Sequence, residues 1–146
     1  MFSTGLRLDP IPSFRFVVLF DELPECGFSD CTGLQVELES QEYIEGGMNS
    51  HTWKFPTRAK QTNLTLKRGV VHRLLWDWLD DIRKGNIKVR SGTIIVFDSS
   101  GRLPVMTFQV HKAFPVKWSG PDLSALQNNI AMETLELAHQ GMERLV

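Results

Sequence analysis

Two short segments of the chain are apolar on both faces of the strand that each would form. The segment "FRFVVLF" covers Phe14–Phe20, and "TIIVF" covers Thr93–Phe97. Because alternate residues of a strand point to opposite faces, both faces of each segment need an apolar covering. Long strands also leave edges that pair with other chains unless the assembly closes on itself. The sequence therefore predicts a β-rich domain that associates with copies of itself.

The other strands follow from alternation and from turn residues. Leu34–Tyr43 alternates between apolar and polar side chains, which predicts a half-buried antiparallel strand. Further strands are predicted at Thr62–Lys67, Lys88–Phe97 and Pro104–Trp118, with residues 45–51 as a loop. The last two strands are expected to form a β-hairpin in which Gly101 supplies the turn.

One helix is predicted, at about Val71–Lys84. Its apolar residues fall on one arc of the helix, and Gly85 is expected to end it. Asp80 and Lys84 have the spacing of an i,i+4 ion pair. Trp76 departs from the pattern because it falls on the polar side of the helix.

The segment Asn129–Glu143 is ambiguous. Its alanine, methionine, glutamate and leucine residues favour a helix. A strand would place Leu135 and Leu137 on one face, with Ile130 and Met132 on the other. Propensity alone favours the helix.

Composition argues against several classes of protein. The chain of 146 residues carries 16 basic and 17 acidic side chains, so it lacks the positive charge that neutralises nucleic-acid phosphates. No apolar run approaches the roughly 20 residues of a membrane span. The first residues lack the apolar core of a signal peptide, so synthesis and folding in the cytoplasm are expected.

No group of residues has the spacing of a catalytic or metal site. Cys26 and Cys31 have no histidine close in sequence to act as a base, and we interpret them as ordinary reduced thiols. A structural zinc site usually takes two close pairs of ligands, which the scattered histidines do not supply. Asp77, Asp80 and Asp81 are assigned to a solvated helix face. No catalytic residue, metal or cofactor is therefore expected.

The sequence "KRG" at Lys67–Gly69 lies between a predicted strand and the predicted helix. Two cations beside a helix start could bind an anion, and so could indicate a nucleotide-using enzyme. A phosphate loop needs more glycines than Gly69 alone. A carboxylate on a neighbouring surface is the preferred partner, and a solvent-exposed basic turn is the alternative.

Five stretches of the chain occur in an order that is specific in combination. They are "GFSDCTGLQVELESQEYIEGG" (Gly27–Gly47), "LTLKRG" (Leu64–Gly69), "LWDW" (Leu75–Trp78), "AFPVKWSGPDL" (Ala113–Leu123) and "ETLELAHQGM" (Glu133–Met142). Together they closely resemble the tail-tube protein family of contractile phages and phage-tail-like injection systems. The resemblance covers the chain from about Pro12 onward.

The resemblance implies a mainly β, α+β fold in a single domain over residues 1–146, shared with the haemolysin-coregulated proteins of type VI secretion. Two packed antiparallel sheets would form a small β-barrel or sandwich with one flanking α-helix, and the last segment would be a strand. Hexameric rings would stack into a hollow tube, enclosed by a contractile sheath and driven through a target envelope. The implied partners are copies of the chain, the sheath protein, the baseplate hub or spike, tube-terminating caps and lumen cargo. The implied function is mechanical, without catalysis, in a phage tail or a released particle.

Three groups of residues receive hypothetical roles from this resemblance. The loop from about Glu42 to Lys60 is expected to contact the adjacent ring through Glu45, Gly46, Gly47, His51 and Lys54. Lys67 and Arg68 are expected to pair with Glu133 or Glu136 across a subunit or ring boundary. The helix face with Trp76, Asp77, Asp80 and Asp81 is expected to face the sheath, unless Trp76 packs on its own domain. A small monomeric ligand- or anion-binding β-barrel is the alternative function.

Overall fold

The computed structural model describes residues 15–24, 27–43, 52–69, 73–126 and 131–145. These residues form one helix, α1 (Leu74–Arg83), and a set of strands. The strands are β1 (Arg15–Phe20), β2 (Asp30–Thr32), β3 (Val36–Tyr43), β4 (Trp53–Gln61), β5 (Leu64–Gly69), β6 (Arg90–Phe97), β7 (Pro104–Ser119), β8 (Met132–Ala138) and β9 (Gly141–Arg144). The mainly β architecture with a single helix, which the resemblance implied, is confirmed for this part of the chain.

Seven strands form one antiparallel sheet in the order β1–β6–β7–β8–β5–β2, with β9 also paired to β7. The long strand β7 belongs to both halves of this sheet. Its first part pairs with β6 and β9, and its last part pairs with β8. We name β1, β6, β9 and the first part of β7 half A; β2, β5, β8 and the last part of β7 are half B. Lys112, with a φ of 47°, lies just before the point at which β7 passes from β6 to β8. Among the described strands the sheet does not close into a barrel, since β1 and β2 remain its two ends.

One hydrophobic core joins the two halves and the helix. Its members include Val18, Phe20, Ile94 and Val110 from half A, Leu64, Leu66, Leu135 and Leu137 from half B, and Leu75 and Trp78 from α1. The Trp78 ring lies edge-on to Phe20, with 5.3 Å between ring centroids. Its Nε1–H donates to the backbone oxygen of Lys88 at 2.9 Å, so the polar atom of this buried ring is satisfied.

Helix α1 lies within the predicted range Val71–Lys84, and Gly85 ends it as predicted. Gly85 has a φ of 95°, which favours glycine. Its N–H donates to the carbonyl of Ile82 at 3.0 Å, and the N–H of Asn86 donates to the carbonyl of Asp81 at 2.9 Å. These two bonds form a Schellman motif, which satisfies carbonyls that the last helical turn leaves open.

Strands β3 and β4 form a separate two-stranded hairpin. It follows β2 through Gly33, whose φ is 94° and whose added Cβ would lie 2.2 Å from the carbonyl oxygen of Asn63. The prediction of a half-buried strand is wrong for the isolated subunit, because Val36 and Leu38 are 50% and 64% exposed. The alternation is present, but no described residue of the same subunit covers the apolar side. Within the region of about Glu42 to Lys60 that the resemblance described as a loop, residues 53–60 belong to strand β4, which pairs with β3. The loop predicted at residues 45–51 lies outside the described residues.

The last segment forms β8 and β9, as the family resemblance implied, and the helix that propensity favoured is wrong. Leu135 and Leu137 are fully buried and belong to the same core as Leu64 and Leu66 of β5. Strand β8 pairs with β5 on one side and with β7 on the other. Burying a leucine contributes about 1.5–3 kcal/mol, whereas helix propensities differ by less than about 1 kcal/mol between ordinary residues, so packing decides the outcome.

Candidate assembly surfaces

Arg68 and Glu133 lie directly opposite each other on β5 and β8 and form a buried ion pair. Arg68 Nε donates to Glu133 Oε1 at 2.5 Å, and the side chains are 5% and 2% exposed. Both residues belong to one chain, so the expectation that this pair crosses a subunit or ring boundary is corrected. Groups buried inside the subunit are shielded from a neighbouring one. The pair also engages the guanidinium, which removes Arg68 from the anion site considered for "KRG".

The second carboxylate oxygen of Glu133 connects the pair to the helix. Trp118 Nε1 donates to Glu133 Oε2 at 2.8 Å. The Trp118 ring packs edge-on against Trp76 of α1 at 5.0 Å, and the Arg83 guanidinium lies 5.4 Å from the Trp76 ring centre. Trp76 therefore packs on its own domain, which was the alternative to a sheath-contacting role.

Alternation along the strands was the signal that could have located this cluster. Glu133 has the same parity as Leu135 and Leu137, and Arg68 has the same parity as Leu64 and Leu66. Residues of one parity share one face of a strand, so both charges had to lie on the buried face. Trp118 was missed as a member of the cluster, because its contact with α1 depends on tertiary packing.

Lys67 and Glu136 lie on the other face of the same strands. The Lys67 side chain is exposed, while Glu136 is half-buried. Glu136 Oε1 accepts a hydrogen bond from Asn63 Nδ2 at 3.1 Å. The structure thus divides the four predicted interface residues into a buried pair and two residues on a solvent-facing surface.

The acidic residues of α1 differ in their availability. Asp80 forms the predicted ion pair with Lys84 at 2.7 Å, bonds also to Arg83, and is 16% exposed. The hydrogen bond from Lys84 is the main cause that holds the pKa of Asp80 below its ordinary value. Asp77 is 54% exposed and lies 3.6 Å from Arg73. Asp81 is half-buried, so Asp77 is the most accessible of the three carboxylates.

The hairpin β3–β4 exposes apolar side chains on both faces. One face carries Val36 and Leu38, and the other carries Tyr43, Trp53 and Phe55, which are 55%, 51% and 44% exposed. Of the predicted ring-contacting residues, Lys54 lies on β4, 3.8 Å from Glu42, and both side chains are exposed. The others, Glu45, Gly46, Gly47 and His51, lie outside the described residues.

The outer face of half A carries several apolar side chains. Val17 and Leu19 of β1 are cross-strand partners of Ile95 and Thr93 of β6, and Leu19 is 38% exposed. The opposite face of β1 packs into the core through Val18 and Phe20. The sequence predicted a covering on both sides, and the isolated subunit covers one side.

The described residues do not assemble a metal site or a membrane span. They contain no group of three or more histidine, cysteine, aspartate or glutamate side chains that could hold a metal ion. No described helix is long and apolar enough to cross a membrane. A groove of about 410 Å³, lined by residues that include Arg15, Phe28 and Phe97, is open to solvent rather than enclosed.

The fold and its exposed apolar surfaces define a class of β-rich subunits that assemble with further copies. The sequence matches the family described as T4-like virus tail tube protein gp19 over residues 12–143. The chain belongs to this family of tail tube proteins. The search of curated proteins finds no match.

Solved structures agree with this assignment. A chain of the anti-feeding prophage (AFP) baseplate, 6-fold symmetrised, is 30% identical, with a TM-score of 0.81 over 94% of this chain and 96% of that one. A chain of the sheath-tube complex of PVC, an extracellular contractile injection system, is 30% identical, with a TM-score of 0.81 over 92% of this chain and 90% of that one. Hcp1 from Salmonella typhimurium, at 11% identity and a TM-score of 0.58 over 90% of this chain and 85% of that one, shares the fold.

Proposed function

We propose that the chain is the inner-tube subunit of a phage tail or a contractile injection particle, and that its copies form hexameric rings that stack into a hollow tube. Family membership supports the role in a tube, and the 6-fold symmetry of the related AFP baseplate supports the size of the ring. The main structural support for assembly is that the hairpin β3–β4 exposes apolar side chains on both of its faces.

A two-stranded hairpin that stands apart from a core is marginally stable in water. Burying a leucine such as Leu38 against a neighbouring copy contributes about 1.5–3 kcal/mol, and an exposed aromatic residue such as Trp53 contributes a comparable amount. A second copy of the chain is the available partner in a homopolymer. The hairpin therefore joins subunits, and its ring-contacting role extends to both of its faces.

The outer face of half A and the free edges of the sheet supply the remaining contacts. Among the described strands, β1 and β2 lie at the edges of the sheet, and closed assemblies pair such edges between subunits. Covering the exposed Leu19 side chain on the outer face of half A would likewise stabilise the assembly. Lateral association into a closed ring satisfies both requirements at once.

The tube has further partners in this proposal. A contractile sheath surrounds it and meets the exposed side of α1 around Asp77. A baseplate hub or spike begins the tube, and a cap terminates it. The tube subunit folds in the bacterial cytoplasm and becomes part of the particle, which delivers cargo through a target envelope without a catalytic step in this chain.

Negative-stain electron microscopy of the purified chain, together with sedimentation velocity, tests the proposal. Rings or stacked tubes of uniform diameter are the expected result. Compact particles that sediment as monomers at all concentrations would contradict it and would favour the alternative, a small monomeric ligand- or anion-binding β-barrel.

A further inference from the structure

The two strands of the hairpin β3–β4 carry charges of opposite sign. Strand β3 contains three acidic residues and no basic one, and strand β4 contains three basic residues and no acidic one. These residues are Glu37, Glu39 and Glu42 on β3, and Lys54, Arg58 and Lys60 on β4. No other described strand carries three charged side chains of a single sign. The hairpin therefore consists of an acidic strand and a basic strand.

The acidic and the basic strand border opposite sides of the hairpin. Among the described strands, β3 and β4 form a two-stranded sheet, so each has an inner edge paired with the other strand and an outer edge. All residues of the two strands except Glu39 and Gln61 are exposed. A neighbouring molecule therefore meets negative charge on one side of the hairpin and positive charge on the other.

The ion pairs inside the hairpin leave these charges accessible. Arg58 Nε lies 2.8 Å from Glu39 Oε2, and Lys54 Nζ lies 3.8 Å from Glu42 Oε1. The Lys54 and Arg58 side chains are nevertheless 65% and 81% exposed. Ion pairs as exposed as these contribute little to stability, and a carboxylate accepts hydrogen bonds from more than one donor. The same side chains can therefore pair with charges of another copy.

We propose that the acidic strand β3 of one copy docks against the basic strand β4 in the hairpin of the next copy around the ring, an inference that rests on the proposed tube function. Each acidic side chain of β3 would then lie between basic side chains of its own β4 and of the neighbouring β4. Opposite charges on adjacent strands attract, and like charges repel. Since β3 and β4 carry the described strands' only groups of three like charges, each is the best electrostatic match for the other.

The charge asymmetry also sets the direction of association. A two-fold dimer that used the same side of both hairpins would bring β3 against β3, or β4 against β4, and like charges oppose both arrangements. Contact between β3 and β4 joins unlike surfaces, so every copy keeps one acidic and one basic side to offer. Contacts of this head-to-tail kind generate rings when the rotation closes. The hairpin charges therefore favour a ring over a dimer.

Side chains, rather than a backbone ladder, make this contact. Pro56 of β4 has no N–H to donate, and the register of β4 on β3 shifts between Leu38 and Ser40. Proline and bulges at a strand edge hinder the addition of another strand. The charges consequently decide which sides of two hairpins meet, while apolar side chains such as Leu38 supply area to be covered.

A chain in which the charges of the two strands are exchanged tests the inference. Its substitutions are Glu37→Lys, Glu39→Lys, Glu42→Lys, Lys54→Glu, Arg58→Glu and Lys60→Glu. The cross-strand pairs inside the hairpin are kept with inverted signs, so the subunit should unfold in urea as the parent does. This exchanged chain should form tubes by itself, because its β3 and β4 remain complementary between copies.

The decisive measurement is whether the parent and the exchanged chain enter the same tubes. The two chains carry different affinity tags, and they are dissociated, mixed in equal amounts and reassembled. A parent hairpin beside an exchanged one brings like charges together, so capture of one tag should recover about tenfold less of the other chain than random mixing would give. The parent with the second tag, and Lys88→Glu outside the hairpin, are controls that should mix at random with the parent. Random mixing of the exchanged chain would overturn the inference.

A second mixture decides the matter if the exchanged chain fails to fold or to assemble. One chain carries only the three substitutions of β3, and the other carries only those of β4, so each hairpin has like charges on both strands. Each chain alone should form few tubes. Their equal mixture should restore tubes that contain both chains in equal amounts, because basic and acidic hairpins can alternate around a hexameric ring.

Normal tube yield from either single-strand variant alone would overturn the inference, and so would the absence of tubes from their mixture. Electron microscopy of the parent chain comes first in the experiment. A failure of the proposed function appears there as the absence of parent tubes. A failure of the hairpin contact appears instead as normal parent tubes in which the charge variants do not sort or rescue one another as expected.

Discussion

Glu133 links three strands of the sheet through one carboxylate: Oε1 accepts from Arg68 on β5 at 2.5 Å, and Oε2 accepts from Trp118 on β7 at 2.8 Å. Glu133 itself lies on β8 between them. A buried charge of this kind is costly unless its partners are in place. The register of β8 on both neighbouring strands is therefore coupled to one ion pair.

Replacing Glu133 with alanine is expected to destabilise the subunit by about 3–5 kcal/mol, because Arg68 would be left as an unpaired buried charge. Urea unfolding of the subunit measures the change. Glu136→Ala is the matched control on the outer face of the same strand, with an expected change within about 1 kcal/mol. The double variant Arg68→Met with Glu133→Leu should recover most of the loss, since no charge remains buried. Equal effects of Glu133→Ala and Glu136→Ala would show that the buried pair has no special role.

Trp76 is expected to stabilise the isolated subunit. Its edge-on contact with Trp118 at 5.0 Å and the nearby Arg83 guanidinium are lost in Trp76→Ala. Loss of an aromatic pair of this kind costs about 0.5–1.5 kcal/mol beyond the buried area. Thermal unfolding of the subunit, in the absence of sheath protein, measures it. An unchanged midpoint of thermal unfolding would show that Trp76 does not stabilise the subunit. Sheath contact would then be its only proposed role.

Asp77→Lys tests whether the outer surface of α1 contacts the sheath, with little expected effect on the stability of the subunit. Asp77 is 54% exposed, so unfolding should change by less than about 1 kcal/mol. Tube formation should persist, while co-assembly with the sheath protein, scored by electron microscopy, should fall. Lys88→Glu is a charge-reversal control outside the helix. Normal sheathing of Asp77→Lys tubes would exclude this residue from the sheath contact.

Gly33→Ala is expected to be the most damaging glycine substitution at the base of the hairpin. The φ of Gly33 is 94°, and its added Cβ would lie 2.2 Å from the backbone oxygen of Asn63. Gly85→Ala has a comparable φ of 95° but open space around the Cβ, so it should lose only about 1 kcal/mol. Gly27→Ala, with no atom within 4 Å of its Cβ, is the neutral control. Similar unfolding midpoints for Gly33→Ala and Gly85→Ala would show that the backbone adjusts at Gly33 without cost.

Leu38→Ser tests the hairpin as an assembly surface. Leu38 is 64% exposed in the subunit, so folding of the monomer should be little affected. Tube yield, measured by pelleting and microscopy, should drop sharply because the apolar contact between copies is lost. Lys88→Gln, at an exposed position outside the hairpin, is the control and should assemble as the parent does. Wild-type tube yield from Leu38→Ser would exclude this face from the interface.

Cys31 is expected to be a slow thiol in the folded subunit. Burial raises the pKa of the Cys31 thiol to about 11 from an ordinary 9.0. Since each unit of pKa is tenfold in thiolate, a Cys26→Ala chain should react with iodoacetamide about 100-fold more slowly when folded than when unfolded. The unfolded chain releases its proton first, so the stability of the fold declines as the pH rises from about 9 towards 11. Equal rates in the folded and unfolded chain would contradict the burial.

The local sequence pattern correctly predicted the end of the helix and the β6–β7 turn. Gly85 ends the helix and Gly101 forms the β6–β7 turn, with a φ of 73°, because both positions need a backbone angle that favours glycine. Glu133 has the same strand parity as Leu135, which indicates the buried face, but it was expected to pair across a subunit or ring boundary. That expectation came from the family resemblance rather than from the strand pattern.

The remaining errors come from interactions that are distant in sequence or lie between copies. The helix expected for the last segment was overridden by the burial of Leu137 between β5 and β7. Leu38 is 64% exposed among the described residues, and no pattern within β3 could distinguish this exposed strand from a half-buried one. The position of Trp118 against Trp76 required the complete fold.

A cryo-electron microscopy reconstruction of particles formed by the purified wild-type chain tests the central claim most directly. The account predicts six-fold rings stacked into a tube, with Leu38 and Trp53 covered by neighbouring copies. Particles that remain single subunits, with the hairpin exposed to solvent, would contradict it.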